Sequence, residues 1–186
     1  MPSTPKEAKR VFKGKIFDIY QWEQSLFDGT KRTFEMVKRN PSIQIITVTN
    51  DKKLIILKEK QPFVGKFIAI PGGRVERKEK SRKAAQRELL EETGMIPKKM
   101  FLWKKVNCIP YIDWCTRYYI AQGCTKIQES KDTPSEVSRV YKLSFEDFIQ
   151  QTQKKSFRNR IFSDMVFRII HTKGELEKFK KLLLGE

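Results

Sequence analysis

The chain has 186 residues, of which 39% are hydrophobic and 33% charged, with a formal net charge of +17. That length favours one domain with a sizeable core, and the composition is that of a polar globular protein rather than a fibrous or membrane-spanning one. No apolar run approaches the ~18 residues of a membrane span, the N-terminus lacks the apolar segment of a secretory signal, and three cysteines, Cys108, Cys115 and Cys124, are too few and too irregular for a disulfide framework or a zinc site. A reducing cytoplasm fits this cysteine usage. Lysine and arginine are spread along the whole chain, with clusters at Lys52-Lys53, Arg74 to Lys83, Lys98-Lys99, Lys104-Lys105 and Lys178 to Lys181. Such a surface raises the local concentration of anions, whether nucleotides or nucleic acid, although dispersed charge points to nucleic acid less strongly than a basic stripe with interleaved aromatics.

Residues 1–10 read as a loosely held arm. Val11 to Phe27 is rich in Phe, Ile, Tyr and Trp and reads as a strand, Asp28-Gly29 as a hairpin turn, and Thr30 to Arg39 as the returning strand. Ile43 to Thr49 and Leu54 to Lys58 are β-branched, apolar strands joined by the turn Asn50 to Lys53. Gln61 to Lys66 reads as a loop. The short strand Phe67 to Ile70 stops at Pro71-Gly72-Gly73, where the backbone takes unusual angles or approaches something closely. Ser81 is the expected N-cap of a helix over Arg82 to Thr93. In it Ala85 and Leu89 share the core-facing side, and Gly94 is the left-handed residue that ends it. Strands follow at Phe101 to Asn107, Thr116 to Gln122 and Val137 to Leu143. Ser144 caps a helix to about Gln153, and Arg158 to Thr172 and Glu175 to Leu184 close the chain as helices. The expected organisation is 11–186 as one domain: hairpin 11–40, core 41–155 and C-terminal helices 156–186. Its fold class is α/β, with helices covering a mixed sheet. His171, the single histidine, sits among apolar neighbours and reads as structural.

The helix contains an anomaly. Glu88, Glu91 and Glu92 lie at i, i+3 and i+4, on one face. Each like-charge pair costs about 0.2–0.5 kcal/mol, and the negative end of the helix dipole disfavours each carboxylate by about 0.3–1 kcal/mol more. A local rule broken in this way marks a functional site, and the simplest compensation is a bound divalent cation. Mg²⁺ takes one or two carboxylates together with waters and substrate phosphates. The preceding Gly72-Gly73 turn can offer a carbonyl and lets a phosphate come close. The pattern is that of a metal-dependent phosphoryl or nucleotidyl hydrolase.

The same stretch resembles the Nudix hydrolases, whose box is G-x5-E-x7-R-E-U-x-E-E-x-G-U, with U apolar. Gly73, Glu79, Arg87, Glu88, Leu89, Glu91, Glu92, Gly94 and Met95 match each fixed position. The resemblance implies an α/β/α sandwich, with the box as loop–helix–loop, and hydrolysis of a nucleoside diphosphate linked to another moiety with Mg²⁺ or Mn²⁺. It implies Glu88, Glu91 and Glu92 as metal ligands with help from the Gly73 carbonyl, Glu92 as a catalytic carboxylate, Arg87 as the residue orienting the glutamates, and Glu79 as a loop-fixing partner. Pro110 and the N-terminal hairpin, with Trp22, resemble the ADP-ribose and nucleotide-sugar group, in which the extra sheet forms a homodimer and completes the adenosine site. Trp22 could stack on a purine or simply pack at an interface. Arg39, Gly72 and Arg74 join Trp22 and Pro110 as expected substrate contacts. Two features depart from that group: Ala69-Ile70-Pro71 stands where Glu-Leu-Pro is usual, and the loop Gln61 to Lys66 lacks the usual arginine after its Gln-aromatic pair. The expected general base is Glu136, with Glu129 and Asp132 as alternatives. The competing functions are a Nudix hydrolase of capped RNA or oxidised nucleoside triphosphates, and a non-catalytic nucleotide-binding module.

Overall fold

The computed structural model describes residues 3–62, 64–109, 111–130 and 137–186. Pro110, Asp132 and Glu136 therefore lie outside the described residues. In chain order the elements are β1 (Lys9–Lys13), β2 (Asp18–Ser25), β3 (Lys31–Lys38), β4 (Ser42–Thr49), β5 (Leu54–Gln61), β6 (Gly65–Ala69), β7 (Gly72–Arg74), α1 (Ser81–Thr93), β8 (Met95–Ile96), β9 (Lys99–Ile109), β10 (Ile112–Lys126), β11 (Val137–Leu143), α2 (Phe145–Thr152), α3 (Arg160–Ile170) and α4 (Glu175–Leu184).

β10 is the hub. It runs parallel to β4 (Thr116 opposite Ser42, Ile120 opposite Ile46) and antiparallel to β9 (Thr116 opposite Val106), and its first residues pair in parallel with β3. Side chains alternate across a strand, and this alternation sorts the core into two halves. Ile43 and Ile45 of β4, with Tyr119 and Ala121 of β10, pack with Ala84, Ala85 and Leu89 of α1. Ile46 and Val48, with Tyr118 and Ile120, pack with Phe148, Phe162, Val166, Phe179 and Leu183 of α2, α3 and α4. The mixed sheet is thus covered by α1 on one face and by α2, α3 and α4 on the other. This is the expected α/β/α sandwich, and it explains why β4 reads as a nearly unbroken apolar run.

The N-terminal hairpin forms as its turn chemistry demands. Gly29 has φ of 82°, and Asp28 Oδ1 accepts hydrogen bonds from Thr30 N (2.9 Å) and Oγ1 (2.7 Å). The apolar stretch before it is two strands rather than one. Gly14 N donates to the Phe17 carbonyl at 2.9 Å, folding β1 back on β2, and Lys9 and Arg10 open β1. A Cβ on Gly14 would collide with that carbonyl. Thr4 is also tied down, its Oγ1 donating to Asp113 Oδ2 at 2.8 Å. β5, β9 and β10 run longer than their apolar patterns, because backbone pairing continues past the last buried residue.

At α1 the expected N-cap is corrected. The cap residue is Lys80, with no side-chain hydrogen bond, and Ser81 is the first helical residue. The Ser81 hydroxyl is instead taken by the phenol of buried Tyr119, at 2.7 Å, a polar group that needs a partner inside the core. At α2 the expected cap holds, with Ser144 Oγ accepting from Asp147 N at 3.0 Å. His171 is the exposed C-cap of α3 and packs on Phe167, ring centroids 4.0 Å apart; its Nδ1 lies 2.8 Å from the Phe167 carbonyl. The described residues contain no helix long and apolar enough to cross a membrane.

Gly94 ends α1 with φ of 70°, and a Cβ there would strike the Gln128 carbonyl. Gly94→Ala therefore combines left-handed strain with a backbone clash, and should lower unfolding free energy by at least about 1–3 kcal/mol in urea denaturation. An unchanged midpoint would contradict this packing of the helix end.

Candidate active site

The box becomes one connected unit through Arg87. Its Nε donates to Glu79 Oε1 and its Nη2 to Glu79 Oε2, both at 3.1 Å. Its Nη1 reaches Glu88 Oε1 at 2.8 Å and Glu91 Oε2 at 3.2 Å, and Nη2 also donates to the Arg74 carbonyl at 3.1 Å. Such a planar fork meets several carboxylate oxygens at once in a way a lysine could not. These contacts hold Arg87 firmly protonated, its pKa raised chiefly by its hydrogen bonding to Glu79. They also answer part of the electrostatic anomaly: two of the three clustered glutamates have a resident cation.

The third glutamate is held differently. Glu92 Oε2 accepts from Gly72 N at 2.8 Å. Gly72 and Gly73 form β7 against Gln44 and Ile43 of β4, and the reason for glycine there is close approach rather than unusual angles. A Cβ on Gly72 would strike the Ile43 carbonyl, and one on Gly73 would strike the Glu88 carboxylate. Glu88 is more enclosed than Glu91; burial raises its pKa, against the lowering effect of Arg87 and with further raising by Glu91 and Glu79. Among the described residues, no three His, Cys, Asp or Glu side chains converge around one point. The ridge is thus spread between Arg87 and the Gly72 amide.

Glu92, Gly72, Gly73 and Arg74 form one wall of a cavity of about 490 Å³. Arg39 lies in the same wall, its guanidinium 4.6 Å from the Trp114 ring centroid and 5.5 Å from that of Phe17. Tyr118, Glu59, Gln61, Phe67 and residues 158–161 line the cavity as well. Gln44 also lines the cavity, and its buried Oε1 has no hydrogen-bond partner among the described residues. The cavity therefore pairs a carboxylate edge with arginines, the complement of a phosphate-bearing ligand that also needs a cation.

Of the residues singled out from sequence, Arg39, Gly72, Gly73, Arg74 and Glu92 line this cavity, while Arg87, Glu88 and Glu91 stand beside it. Trp22 does not line it: it packs on Phe34 across the hairpin, ring centroids 6.1 Å apart, and its Nε1 donates to Gln24. The indole in the cavity wall is Trp114, whose Nε1 donates to Ser42 Oγ at 3.1 Å. Glu136 and Pro110 fall outside the described residues, and Glu129 is exposed and ion-paired with Lys126 at 2.7 Å. Sequence reasoning missed Trp114, Glu59, Tyr118 and the segment 158–161. A signal existed for Glu59, which follows Ile55 and Leu57 at period two on the buried face of β5, and for residue 158, because Asn159 is an Asx cap that places it outside the helix.

A sandwich with a glutamate-edged cavity at the end of its sheet is the form of a hydrolytic enzyme. The NUDIX domain model matches residues 38–165, and the chain belongs to the Nudix family and is a Nudix hydrolase. It is 26% identical over 150 residues to the ADP-ribose pyrophosphatase of Bacillus subtilis (strain 168), covering 79% of this chain and 81% of that one. It is 24% identical over 152 residues to the methanol dehydrogenase activator of Bacillus methanolicus, covering 80% and 82%. It is also 48% identical over 105 residues to the ADP-ribose pyrophosphatase of Methanocaldococcus jannaschii, covering 49% of this chain and 58% of that protein. In structure it is similar to an ADP compounds hydrolase, with a TM-score of 0.66 and 19% identity over 90% of this chain and 93% of that one, a likeness of fold.

Arg87 lowers the pKa of Glu79 chiefly by hydrogen bonding, with the Glu76 amide adding to it against burial. A carboxylate depressed in the folded state contributes stability above its unfolded pKa and loses it as pH falls through the folded one. Glu79→Gln should therefore cost about 1 kcal/mol at neutral pH, the scale of a partly exposed ion pair. That difference should shrink toward zero below the ordinary carboxylate range, ~4. Urea titrations of both proteins across pH check this; a pH-independent difference would contradict it.

Proposed function

We propose that the enzyme hydrolyses a nucleoside diphosphate-linked compound, ADP-ribose or another ADP-sugar, to AMP and a sugar phosphate. The observation that carries this reading is the joining of the glutamate ridge and the arginine-lined cavity at Gly72 and Gly73. Similarity to two proteins named ADP-ribose pyrophosphatase supports the choice of substrate.

The ridge offers oxygen donors only, the chemistry that Mg²⁺ or Mn²⁺ takes, and a Cβ at residue 73 would fill the space that Glu88 uses. In this reading Glu88, Glu91 and Glu92 would turn from their present partners to hold the metal with the Gly73 carbonyl, and a metal bound there would supply charge neutralisation and a more acidic water. Arg87 keeps Glu88 and Glu91 oriented. Arg39 and Arg74 meet phosphate oxygens, where guanidinium groups give charge-assisted hydrogen bonds. Gln44 Oε1 accepts from a substrate hydroxyl or bound water. The water oxygen bonds to one phosphorus, the bridging oxygen leaves with the other phosphate, and Glu92 or Glu136 takes the water proton.

The assembly belongs to the same reading. Val11, Phe12 and Ile16 at and after β1, and Phe27 at the turn after β2, expose 54%, 56%, 54% and 114% of their surface, apolar area that a second copy would cover. A homodimer through this hairpin would give Trp22 a partner surface. The free thiols of Cys115 and Cys124 fit a cytoplasmic setting.

Incubation with ADP-ribose and Mg²⁺, resolved by chromatography, should give AMP and ribose phosphate. Intact ADP-ribose alongside cleaved capped RNA or nucleoside triphosphate would replace the substrate proposed. Glu92→Gln should lower kcat by about 100-fold or more, the scale of several kcal/mol of lost electrostatic stabilisation, with its thermal midpoint retained. Unchanged turnover would remove Glu92 from the chemistry.

A further inference from the structure

Part of the cavity lining is built by the connection between α2 and α3. This segment is anchored through main chain and core. Ile68 N donates to the Ser156 carbonyl and Arg158 N to the Ile68 carbonyl, both at 2.8 Å, and Phe157 is fully buried. Asn159 Oδ1 accepts from Phe162 N, capping α3, and from the Tyr118 hydroxyl, both at 3.1 Å. The Arg160 guanidinium is turned back onto the Lys154 and Lys155 carbonyls. Arg160 is therefore a staple of the loop, while Arg158 is aimed elsewhere.

The Arg158 guanidinium lies 4.6 Å from the Phe67 ring centroid and donates through Nη1 to Gln61 Oε1 at 3.1 Å. Phe67, Gln61 and Arg158 all line the cavity. A guanidinium carries five N–H donors in a fixed fork. The stack and the bond to Gln61 set its plane and leave donors on its other edge. Ile68, which holds Arg158 by main chain, precedes Gly72 by only four residues, so the Cα atoms of Ile68 and Gly72 are at most about 14 Å apart. A diphosphate held at the Gly72 wall thus falls within reach of a side chain as long as arginine.

We propose that Arg158 binds a phosphate oxygen of the substrate, as a clamp acting with the glutamate ridge from the same cavity. This makes the α2–α3 connection part of the substrate site. It rests on the diphosphate reading of the cavity and adds a specificity-determining residue to it. Phe67 and Gln61 pre-organise the guanidinium, so little side-chain freedom is lost when the phosphate arrives. The ordinary alternative is a surface cation that merely covers Phe67.

The test compares wild type with Arg158→Ala and Arg158→Lys, using ADP-ribose with Mg²⁺ for kinetics and calorimetry with ADP and adenosine for binding. The expected result for Arg158→Ala is a KM about 10- to 100-fold higher, the worth of one charge-assisted hydrogen bond, with kcat within a few-fold. Its affinity for ADP falls in parallel, adenosine binding and the thermal midpoint stay as in wild type, and Arg158→Lys recovers only part of the loss. Unchanged KM and unchanged ADP affinity would overturn the proposal, and so would equal weakening of ADP and adenosine with a lowered thermal midpoint. If wild type leaves ADP-ribose intact, the ADP-ribose reading fails on its own. The ADP arm then still decides Arg158: selective loss of ADP affinity upholds the clamp, and no loss overturns it.

Discussion

The box depends on the fork of Arg87. One planar cation touches Glu79 on the approach to α1, Glu88 and Glu91 on the helix, and the Arg74 carbonyl at the end of β7. It fixes the loop to the helix and relieves the repulsion between carboxylates that helical spacing forces onto one face. The remaining carboxylate, Glu92, is turned toward the Gly72 amide. The helix can therefore carry a cluster of negative charge near its negative end.

That unit is placed by the sheet. β4 and β10 run side by side through both halves of the core, and β7 hangs on the start of β4. Because Ile43 is fully buried and Gly72 and Gly73 press closely on their neighbours, the backbone before the helix has little freedom. The cavity then gathers segments far apart in sequence: Arg39 after the hairpin, Trp114 near the start of β10, and residues 158–161, where the α2–α3 connection enters α3. Phe17, in the turn between β1 and β2, lies against Arg39, so the hairpin bears on the cavity as well as on any second copy.

Much of the architecture was legible because it rests on local chemistry. The apolar, β-branched run Ile43 to Thr49, Asp28-Gly29 at the hairpin, Gly94 at the helix end and Ser144 at α2 each determine their neighbourhood without distant help. The clustering of the box's glutamates was legible for the same reason, since a helix converts spacing into a face. What was hidden depends on pairs remote in sequence. Ser81 looks like a cap until Tyr119 claims its hydroxyl. Trp22 looks like the cavity's aromatic until β10 brings Trp114 beside Arg39. Arg158 looks like the first turn of a helix until Asn159 is seen capping it. Arg87 stands out in the box by its spacing, but its service as partial counter-charge shows only in the contacts of the folded chain.

The central claim is that the glutamate ridge exists to hold a divalent ion that Arg87 only partly replaces. Calorimetric titration of Mn²⁺ into wild type and into Glu91→Gln, without substrate, tests it most directly. The account predicts saturable binding by wild type and affinity at least about tenfold weaker, one step of 1.4 kcal/mol, in the variant. Equal affinity in the two proteins, or no binding by wild type, would contradict it.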